Sequence, residues 1–289
     1  MQDMHVVIDA DQLIYSAGFA AKGEPLSHVL NLVKKGIAKI IEGSGAKTHQ
    51  LYIGGSGNFR EELTFDYKAN RTADKPEYYA EIKQYMRDTH DAITVDGMET
   101  DDMVSVILYE DFVRYAGDKN LTTIILSSPD KDLKNTPGWH HNPRTDEVFW
   151  VTEEQAGRHF WYQMALGDSS DNIKGLPYCT DEMIFKYSLP KSARRGCGKA
   201  TARKLLEQTT SVEEAKQAVT ECYIAWGESE EWSDNQTYDY MNLQGKLLWM
   251  CRELDEVGDP IQFTLPRDEY DRQAERRRSE AYARLPEGA

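Results

Sequence analysis

The sequence predicts an α/β protein whose sheet is largely parallel. Short apolar runs at 5–9, 50–53, 92–95 and 121–126 have the length and composition of buried strands. Longer segments with apolar residues at helical spacing separate them, and strands that alternate with helices pair in parallel. A chain of 289 residues suffices for one such domain, or for a main domain with a smaller one.

The chain opens with the run His5–Asp9, which ends in a carboxylate. In segment 26–42 the apolar residues recur every three to four positions, which predicts a packing helix. The second strand, 50–53, runs into the glycine-rich loop 54–57. That loop lacks the Gly-Lys-Ser/Thr sequence of a P-loop, so it is not predicted to bind a nucleotide phosphate in that way.

Aromatic and basic residues alternate beyond this loop. Tyr67, Lys68 and Arg71 lie close together, and Pro76 opens a predicted helix that carries several tyrosines and Lys83. Rings beside cations suit single-stranded nucleic acid. A helix whose tyrosines pack inward while its lysines are solvated has the same pattern, and the sequence leaves both interpretations open.

The fourth strand, 121–126, is followed by a predicted hairpin over 139–151 with its turn at 142–145. His140 and His141 lack metal-ligand spacing to another His or Cys. We therefore expect both histidines at the surface.

The second half of the sequence is predicted to be mainly helical. A helix is expected over 153–166, and a tight turn at Gly196-Cys197-Gly198 opens another. Segment 207–239 is acidic and helical in pattern, and 267–284 is a densely charged helix or a frayed tail. No internal repeat is visible.

The composition is that of a soluble globular protein, with 40% hydrophobic and 29% charged residues. No apolar run approaches the roughly 20 residues that span a bilayer, and the N-terminus lacks a signal-peptide pattern. We expect a cytoplasmic protein without membrane contact. The four cysteines form no C-x-x-C pair, which argues against zinc and predicts free thiols.

The net charge of −15 argues against a protein that coats nucleic acid nonspecifically. Segment 186–204 is the exception, because it holds seven Lys and Arg residues and no acidic residue. Such a stretch is typical of a polyanion-binding surface, or of a solvated basic helix face.

Carboxylates follow several of the apolar runs. Because the carboxyl ends of parallel strands meet at one edge of a sheet, ligand-binding side chains gather there. Thr100 as a helix cap with acids in the first turn explains one cluster on its own, but not the recurrence. The clustered acids are Asp9, Glu99, Asp101, Asp102, Asp130, Asp132, Asp168 and Asp171.

A set of oxygen donors without His or Cys selects Mg²⁺ or Mn²⁺ over zinc. The negative charge of so many carboxylates exceeds the positive charge of one divalent ion. Two ions would balance more of that charge, and a pair of ions suits phosphodiester hydrolysis. An aspartyl-phosphate phosphatase with Asp9 as its nucleophile stays an alternative, since Asp9-Ala10-Asp11 has the Asp-x-Asp spacing. That chemistry leaves the basic stretch unexplained.

Taken together, these motifs resemble the 5′-nuclease (flap endonuclease) superfamily. Within it the chain is most similar to phage 5′→3′ exonucleases and to the 5′-nuclease domain of bacterial DNA polymerase I. The resemblance implies a PIN-like three-layer catalytic core over 1–166. It implies a helical region over 167–289 with a split helix-three-turn-helix motif. The motifs are Val6 to Asp11, Tyr67 to Arg71, Gly97 to Asp102, Asp130 to Leu133, Gly167 to Ile173 and the later Gly-x-Gly turn.

The resemblance also implies roles for individual residues. All eight clustered acids would belong to the metal site, directly or through water. Lys68 and Arg71 would hold the scissile phosphate, Tyr67 would stack on a terminal base, and the helix after Pro76 would clamp the 5′ strand. The expected duplex-binding residues, where the family often binds K⁺, are Gly175, Arg194, Arg195, Gly196, Gly198, Lys199 and Thr201.

The implied activity is a Mg²⁺-dependent 5′→3′ exonuclease or flap endonuclease with two metal ions, for which Mn²⁺ substitutes. Its substrates would be DNA 5′ ends, flaps or nicks, with RNA–DNA hybrids as a further class. We expect a monomer in the cytoplasm, or in the host cytoplasm if the protein is viral. The alternative is a structure-specific DNA-binding protein that does not cleave.

Two departures from the family pattern stand out. The family has an Asp just after its second strand, where this chain has Gly54 and Gly55. We expect Asp9 and water to hold that ion less completely, with weaker metal affinity but retained activity. Segment 178–195 is an insertion that either widens the duplex contact through its basic residues or is a disordered loop.

Overall fold

The computed structural model describes residues 3–72 and 74–282, which form two compact units. The first unit comprises Met1–Glu62, Thr72–Ala156 and Met250–Ile261, and the second comprises Leu63–Arg71, Gly157–Trp249 and Gln262–Ala289. Each unit therefore includes a short segment that is distant in sequence from its main part. The sequence analysis predicted a single border between residues 166 and 167 instead.

One sheet organises the first unit. Its strands are β1 (His5–Asp9), β2 (Thr48–Gly54), β3 (Ile93–Val95), β4 (Ile124–Ser127), β5 (Gly138–Asn142) and β6 (Glu147–Val151). The spatial order is β3-β2-β1-β4-β5-β6; every neighbouring pair is parallel except β5 and β6, which form an antiparallel hairpin. The predicted α/β class with a largely parallel sheet is confirmed.

Helices cover both faces of this sheet. The helices of this unit are α1 (Asp11–Ala20), α2 (Leu26–Ser44), α3 (Phe59–Leu63), α4 (Tyr79–His90) and α5 (Thr100–Arg114), and all of them except α3 pack against the sheet. Val6 and Ile8 of β1 pack in one core with α1, α2 and α4. Val7 points to the opposite face and is also buried, and α5 packs against β1, β2 and β4. The unit thus has three layers.

A close approach joins α1 to the chain segment that enters α4. A Cβ atom on Gly18 would lie 2.5 Å from the Cβ atom of Pro76, which is closer than two carbon atoms can pack. Glycine at position 18 therefore allows α1 to lie directly against the start of the α4 segment.

The histidines of the hairpin correct our prediction. His140 and His141 are both buried, not exposed. The Nε2 atom of His140 lies 2.9 Å from the carbonyl oxygen of Thr136, and the Nδ1 atom of His141 lies 3.0 Å from the hydroxyl of Ser127. Burial lowers the pKa of His140 to about 4, although the contact with the Thr136 carbonyl acts in the opposite direction.

The second unit is helical. Its elements include α6 (Glu153–Leu166, which begins in the first unit), α7 (Asp181–Lys186), α8 (Lys199–Glu207), α9 (Val212–Ser229), α10 (Asp234–Leu248) and α11 (Arg267–Tyr282). Its core includes several aromatic side chains, and the hydroxyl of buried Tyr223 donates a 2.7 Å hydrogen bond to the carbonyl of Met164. The last two residues of the predicted helix 267–284 lie outside the described residues.

The insertion 178–195 is ordered. It contains α7 and a 3-10 turn over Lys191–Arg195, and it buries Met183 and Ala193 in the core of the second unit. The alternative of a disordered loop is therefore wrong.

The four cysteines are buried free thiols, as predicted. None of the helices in the described ranges is long and apolar enough to cross a membrane.

Candidate functional site

Asp9 occupies the carboxyl end of β1, next to other carboxylates. It is buried, and the hydroxyl of Ser128 donates to its Oδ2 atom over 3.0 Å. Burial, followed by the negative charge of Asp11, raises the pKa of Asp9 to about 7, and the charge of Asp130 acts in the same direction. Hydrogen bonds with Ser128 and Asp101 oppose this shift.

Asp11 is a site residue that the sequence interpretation did not assign. The backbone N–H of Gly54 donates to both of its carboxylate oxygens, over 3.1 and 3.0 Å, and the hydroxyl of Thr100 donates over 2.8 Å. A Cβ atom on Gly54 would lie only 2.8 Å from the Oδ2 atom of Asp11. The carboxylate of Asp11 therefore fills the space where a side chain at the end of β2 would begin.

The residues at the start of α5 make different contacts. Glu99, not Thr100, is the N-cap, because its side chain accepts the N–H of Asp102 while Asp102 accepts the N–H of Glu99 over 3.3 Å. This arrangement is a capping box. The hydroxyl of Thr100 is directed to Asp11 instead of capping the helix.

Asp102 is completely buried against Arg60, which is also completely buried. Two hydrogen bonds of 2.5 and 2.8 Å join the guanidinium to the two carboxylate oxygens, and the N–H of Cys251 adds a third of 3.0 Å. Burial alone would raise the pKa of Asp102, but Arg60 and Cys251 hold it below its usual value. Both oxygens of Asp102 are thus engaged within the protein.

Asp130 and Asp132 lie in the turn after β4. The Oδ1 atom of Asp130 accepts the N–H of Asp132 over 2.9 Å, and the N–H of Asp130 donates to Ser128 over 3.2 Å. Asp132 forms an ion pair of 2.9 Å with Lys131. Because Ser128 also donates to Asp9, it joins this turn to the end of β1.

The donors of the first unit suit a hard divalent cation. Carboxylates and hydroxyls supply oxygen ligands only, and the like charges around Asp9 are those that a cation would neutralise. Within residues 3–72 and 74–282, no three His, Cys, Asp or Glu side chains are already arranged to hold a metal ion. Binding would require rotation of carboxylates that now make internal hydrogen bonds.

A second polar cluster lies wholly within the second unit. The carboxylate of Asp171 pairs with Arg71 and lies 3.7 Å from the Nζ atom of Lys68, while its backbone carbonyl accepts the N–H of Lys68 over 2.9 Å. Asn70 donates a 2.8 Å hydrogen bond to the carbonyl of Ser169. The structure thus joins the predicted phosphate-binding segment to the predicted acidic loop.

Tyr67 corrects the stacking role that we expected. Its ring is 6% exposed and belongs to the core of the second unit, and its hydroxyl donates to Asp171 over 3.3 Å. A ring buried in this way does not present a face to a base.

Asp168, the other acidic residue predicted in this loop, is also buried. It accepts the N–H of Ser170 over 2.7 Å.

The predicted duplex-binding residues are divided between loop and helix. Gly175 has a positive φ of 63°, which favours glycine, and its N–H donates to Gln244 over 2.9 Å. Gly198 is the N-cap of α8, so the backbone N–H groups at the start of this helix follow it. Thr201 is buried, and Arg194 pairs with Asp181. Lys199 is exposed.

Comparison with known proteins adds one sequence match. The chain is 26% identical over 242 residues to DNA polymerase I of Bacillus subtilis, a match that covers 75% of this chain and 24% of the polymerase. The likeness to bacterial DNA polymerase I that the motifs indicate is thus also found by comparison of the whole sequence. The chain spans about a quarter of the length of that relative, and no protein-family model matches it.

Two solved structures are similar in outline to this chain. The bacteriophage T5 flap endonuclease in complex with DNA and metal ions shares 16% identity, with a TM-score of 0.48, over 83% of this chain and 98% of that one. A variant of T5 5′-exonuclease shares 16% identity, with a TM-score of 0.46, over 84% and 100%.

Proposed function

We propose that this protein is a divalent-metal-dependent 5′-nuclease that hydrolyses phosphodiesters near the 5′ ends of DNA. The observation that carries the proposal is the gathering of Asp11, Asp101 and Asp130 around buried Asp9 at the carboxyl edge of a parallel sheet. The resemblance to polymerase I and the oxygen-only donor set support the same conclusion.

The metal ligands that we propose come first from this gathering. Asp9, Asp11, Asp101 and Asp130 would hold the ions, with Glu99 at the N-cap of α5 as a further ligand. Two Mg²⁺ ions, when bound, would stabilise the attacking and leaving oxygens of hydrolysis. Asp132, Asp168 and Asp171 stay candidate ligands from the family resemblance.

Asp102 has a different place in this proposal. Both of its oxygens already accept hydrogen bonds from Arg60, Cys251 or Glu99. We therefore assign it a positioning role: it fixes the first turn of α5, from which Glu99 and Asp101 project.

The second unit supplies contacts to the DNA backbone. Lys68 and Arg71 are held in place by Asp171, and they would bind a phosphate of the substrate. The exposed start of α8, with Gly198 and Lys199, offers backbone N–H groups and a cation to a duplex phosphate. K⁺ binding near this turn and action on RNA–DNA hybrids belong to the same proposal.

One observation favours a second function, a DNA-binding protein that does not cleave. The carboxylate expected after β2 is missing, and the described carboxylates are not prearranged around an ion. Such a protein would bind forked DNA through the second unit and leave it intact.

Digestion of matched 5′-flap, nicked and blunt duplexes, each labelled at the 5′ end, tests both proposals. We expect Mg²⁺-dependent release of short 5′ products, none in EDTA, and none with Asp130→Ala. Asp259→Ala, which removes an exposed carboxylate of the same unit, is the matched control and should cleave normally. Binding without any product would favour the second function, and neither binding nor cleavage would exclude both.

A further inference from the structure

The strand β6 forms one edge of the sheet in the first unit, and the proposed cleavage chemistry does not use it. In the described sheet, β6 (Glu147–Val151) pairs with β5 alone. Because the N–H and C=O groups of a strand alternate in direction, those of every second residue of an edge strand point away from the sheet. Among the described residues, no hydrogen bond joins the backbone of β6 to a segment other than β5.

The sequence of β6 lacks the features that commonly prevent an edge strand from pairing. It contains no lysine and no proline, and its register with β5 is continuous from Glu147 to Val151, so no bulge interrupts it. After Glu147, the strand consists of four consecutive apolar residues that favour β structure, Val148 to Val151. Glu147 and Val148 are exposed, while Phe149 and Trp150 are half-buried. The edge is therefore suited to accept a further strand.

An apolar surface lies beside this edge on one face of the sheet. Trp150 is opposite Trp139 of β5, with 5.3 Å between the ring centroids, and Phe112 of α5 is 5.9 Å from Trp150. Val148 lies on the same face as Trp150, two residues earlier, and is 39% exposed. Val113, next to Phe112 in sequence, is 56% exposed. Side chains of an added strand would have apolar partners on this face.

Exposed acidic residues flank β6 at both ends. Asp146 and Glu147 lie at its start, and Glu153 and Glu154 follow its end, whereas Arg144 is the one basic residue between positions 142 and 156. Two β6 strands paired in antiparallel fashion would place the acidic start of each beside the acidic end of the other. Like charges facing each other across strands are destabilising, which disfavours a second copy of this chain. A strand with basic residues at its ends would be attracted.

We propose that the outer edge of β6 binds an extended segment of another protein by strand addition. The partner segment would be apolar in its middle and would carry Lys or Arg at both ends. Its backbone would continue the sheet beyond β6, and every second side chain would pack beside Val148 and Trp150. The interaction uses none of the carboxylates that we propose as metal ligands, so its failure would leave the nuclease proposal standing.

The test uses a fluorescein-labelled peptide with a Val-Thr-Val-Thr-Val centre and two lysines at each end. We expect saturable binding by anisotropy, with slower hydrogen–deuterium exchange in 147–151 but not in β3, the other edge strand. Two further peptides are N-methylated at one or the other alternating set of central residues. The peptide whose methyl groups face β6 should bind at least about tenfold more weakly, because it loses backbone hydrogen bonds, and the other should bind like the parent.

Variants of the protein test the charge of the partner. Glu147→Lys/Glu154→Lys should weaken binding of the lysine-flanked peptide at least about fivefold and should strengthen binding of a matched peptide flanked by glutamates. Val148→Lys places a lysine in the edge strand and should weaken binding of both peptides. Glu24→Lys reverses an exposed acid of the same unit outside β6 and should change neither affinity. Melting temperatures identify any variant that fails to fold.

Three results would overturn strand addition at β6. The first is a wild-type protein that does not bind the lysine-flanked peptide. The second is binding that leaves exchange in 147–151 unchanged, or that both N-methylated peptides reproduce, because the peptide would then lie elsewhere. The third is a dimer of the protein alone in which 147–151 is already protected, which would assign the edge to a second copy of the chain.

Discussion

The guanidinium of Arg60 and the carboxylate of Asp102 are both excluded from solvent and face each other through hydrogen bonds of 2.5 and 2.8 Å. Asp102 belongs to a helix start that the sequence suggested, whereas Arg60 is a residue that it did not single out. Their pairing links α3 to the first turn of α5, where two of the proposed metal ligands lie.

Removal of one partner of this pair should destabilise the protein strongly. Arg60→Met leaves the Asp102 carboxylate buried without its counter-ion, and Asp102→Asn leaves the guanidinium in the same situation. Each should lower the free energy of unfolding by about 3–5 kcal/mol, measured in urea. Arg60→Met/Asp102→Leu should recover part of that loss, and single variants as stable as wild type would contradict the pairing.

Asp102→Asn should also reduce cleavage, because it loosens the turn that carries Glu99 and Asp101. DNA binding, which we assign mainly to the second unit, should be largely kept. Cleavage assayed well below the melting temperature of the variant separates this effect from unfolding. Wild-type cleavage by folded Asp102→Asn would show that the turn needs no such anchor.

An acid placed at Gly54 should compete with Asp11. Since a Cβ atom there would lie 2.8 Å from the Oδ2 atom of Asp11, Gly54→Asp should destabilise the protein by about 1–3 kcal/mol. Combined with Asp11→Ala, the same substitution should be better tolerated and should restore Mg²⁺-induced thermal stabilisation. Gly54→Ala measures the steric part alone.

The result that counts against this view is a stable Gly54→Asp variant that binds Mg²⁺ more tightly while Asp11 is retained. That outcome would support the expectation from the family pattern, in which an acid after β2 simply adds a ligand. Gly55→Asp is a poorer test, because a Cβ atom there would lie 2.2 Å from the Oδ1 atom of Asp96.

Buried His140 should make the free energy of unfolding depend on pH. Because burial lowers its pKa from 6.5 to about 4, its neutral form stabilises the fold fully above pH 6.5, and this contribution is lost as the pH falls toward 4. Between pH 7 and pH 5 the loss is about 2 kcal/mol. His140→Gln should show a correspondingly smaller decline in unfolding free energy, whereas His28→Gln, at an exposed position, should decline like wild type.

Lys68 should contribute one phosphate contact. If so, Lys68→Gln lowers DNA affinity at every sequence and reduces the slope of log K against log salt by about one. Lys39→Gln, which removes an exposed lysine of α2, is the matched control and should leave the slope unchanged. Equal slopes for all three proteins would mean that Lys68 serves only to hold Asp171.

The sequence predicted what depends on local pattern. The bounds of β1 agree with the apolar run, and Asp9 lies at its carboxyl end, as the pattern predicts. Asp11 was visible as the second acid of Asp9-Ala10-Asp11, but its contact with Gly54 joins residues 43 positions apart, which no local pattern reports.

Tyr67 and Tyr15 illustrate the other limit. An aromatic residue beside cations has the same local pattern whether its ring is buried or exposed, and only tertiary packing decides. Packing buries Tyr67, which the motif assigned to stacking, and exposes Tyr15, which no motif had marked. The exposed rings of α1 therefore had to be found in the fold.

The exchange of segments between the two units has a consequence for how the chain folds during synthesis. Residues 250–261 complete the first unit, and the N–H of Cys251 binds Asp102 across 149 positions of sequence. The first unit thus cannot reach its final packing until most of the chain has been made. A fragment that ends at residue 166 would leave a buried carboxylate short of one donor, so the first unit is complete only after residues 250–261 have been synthesised.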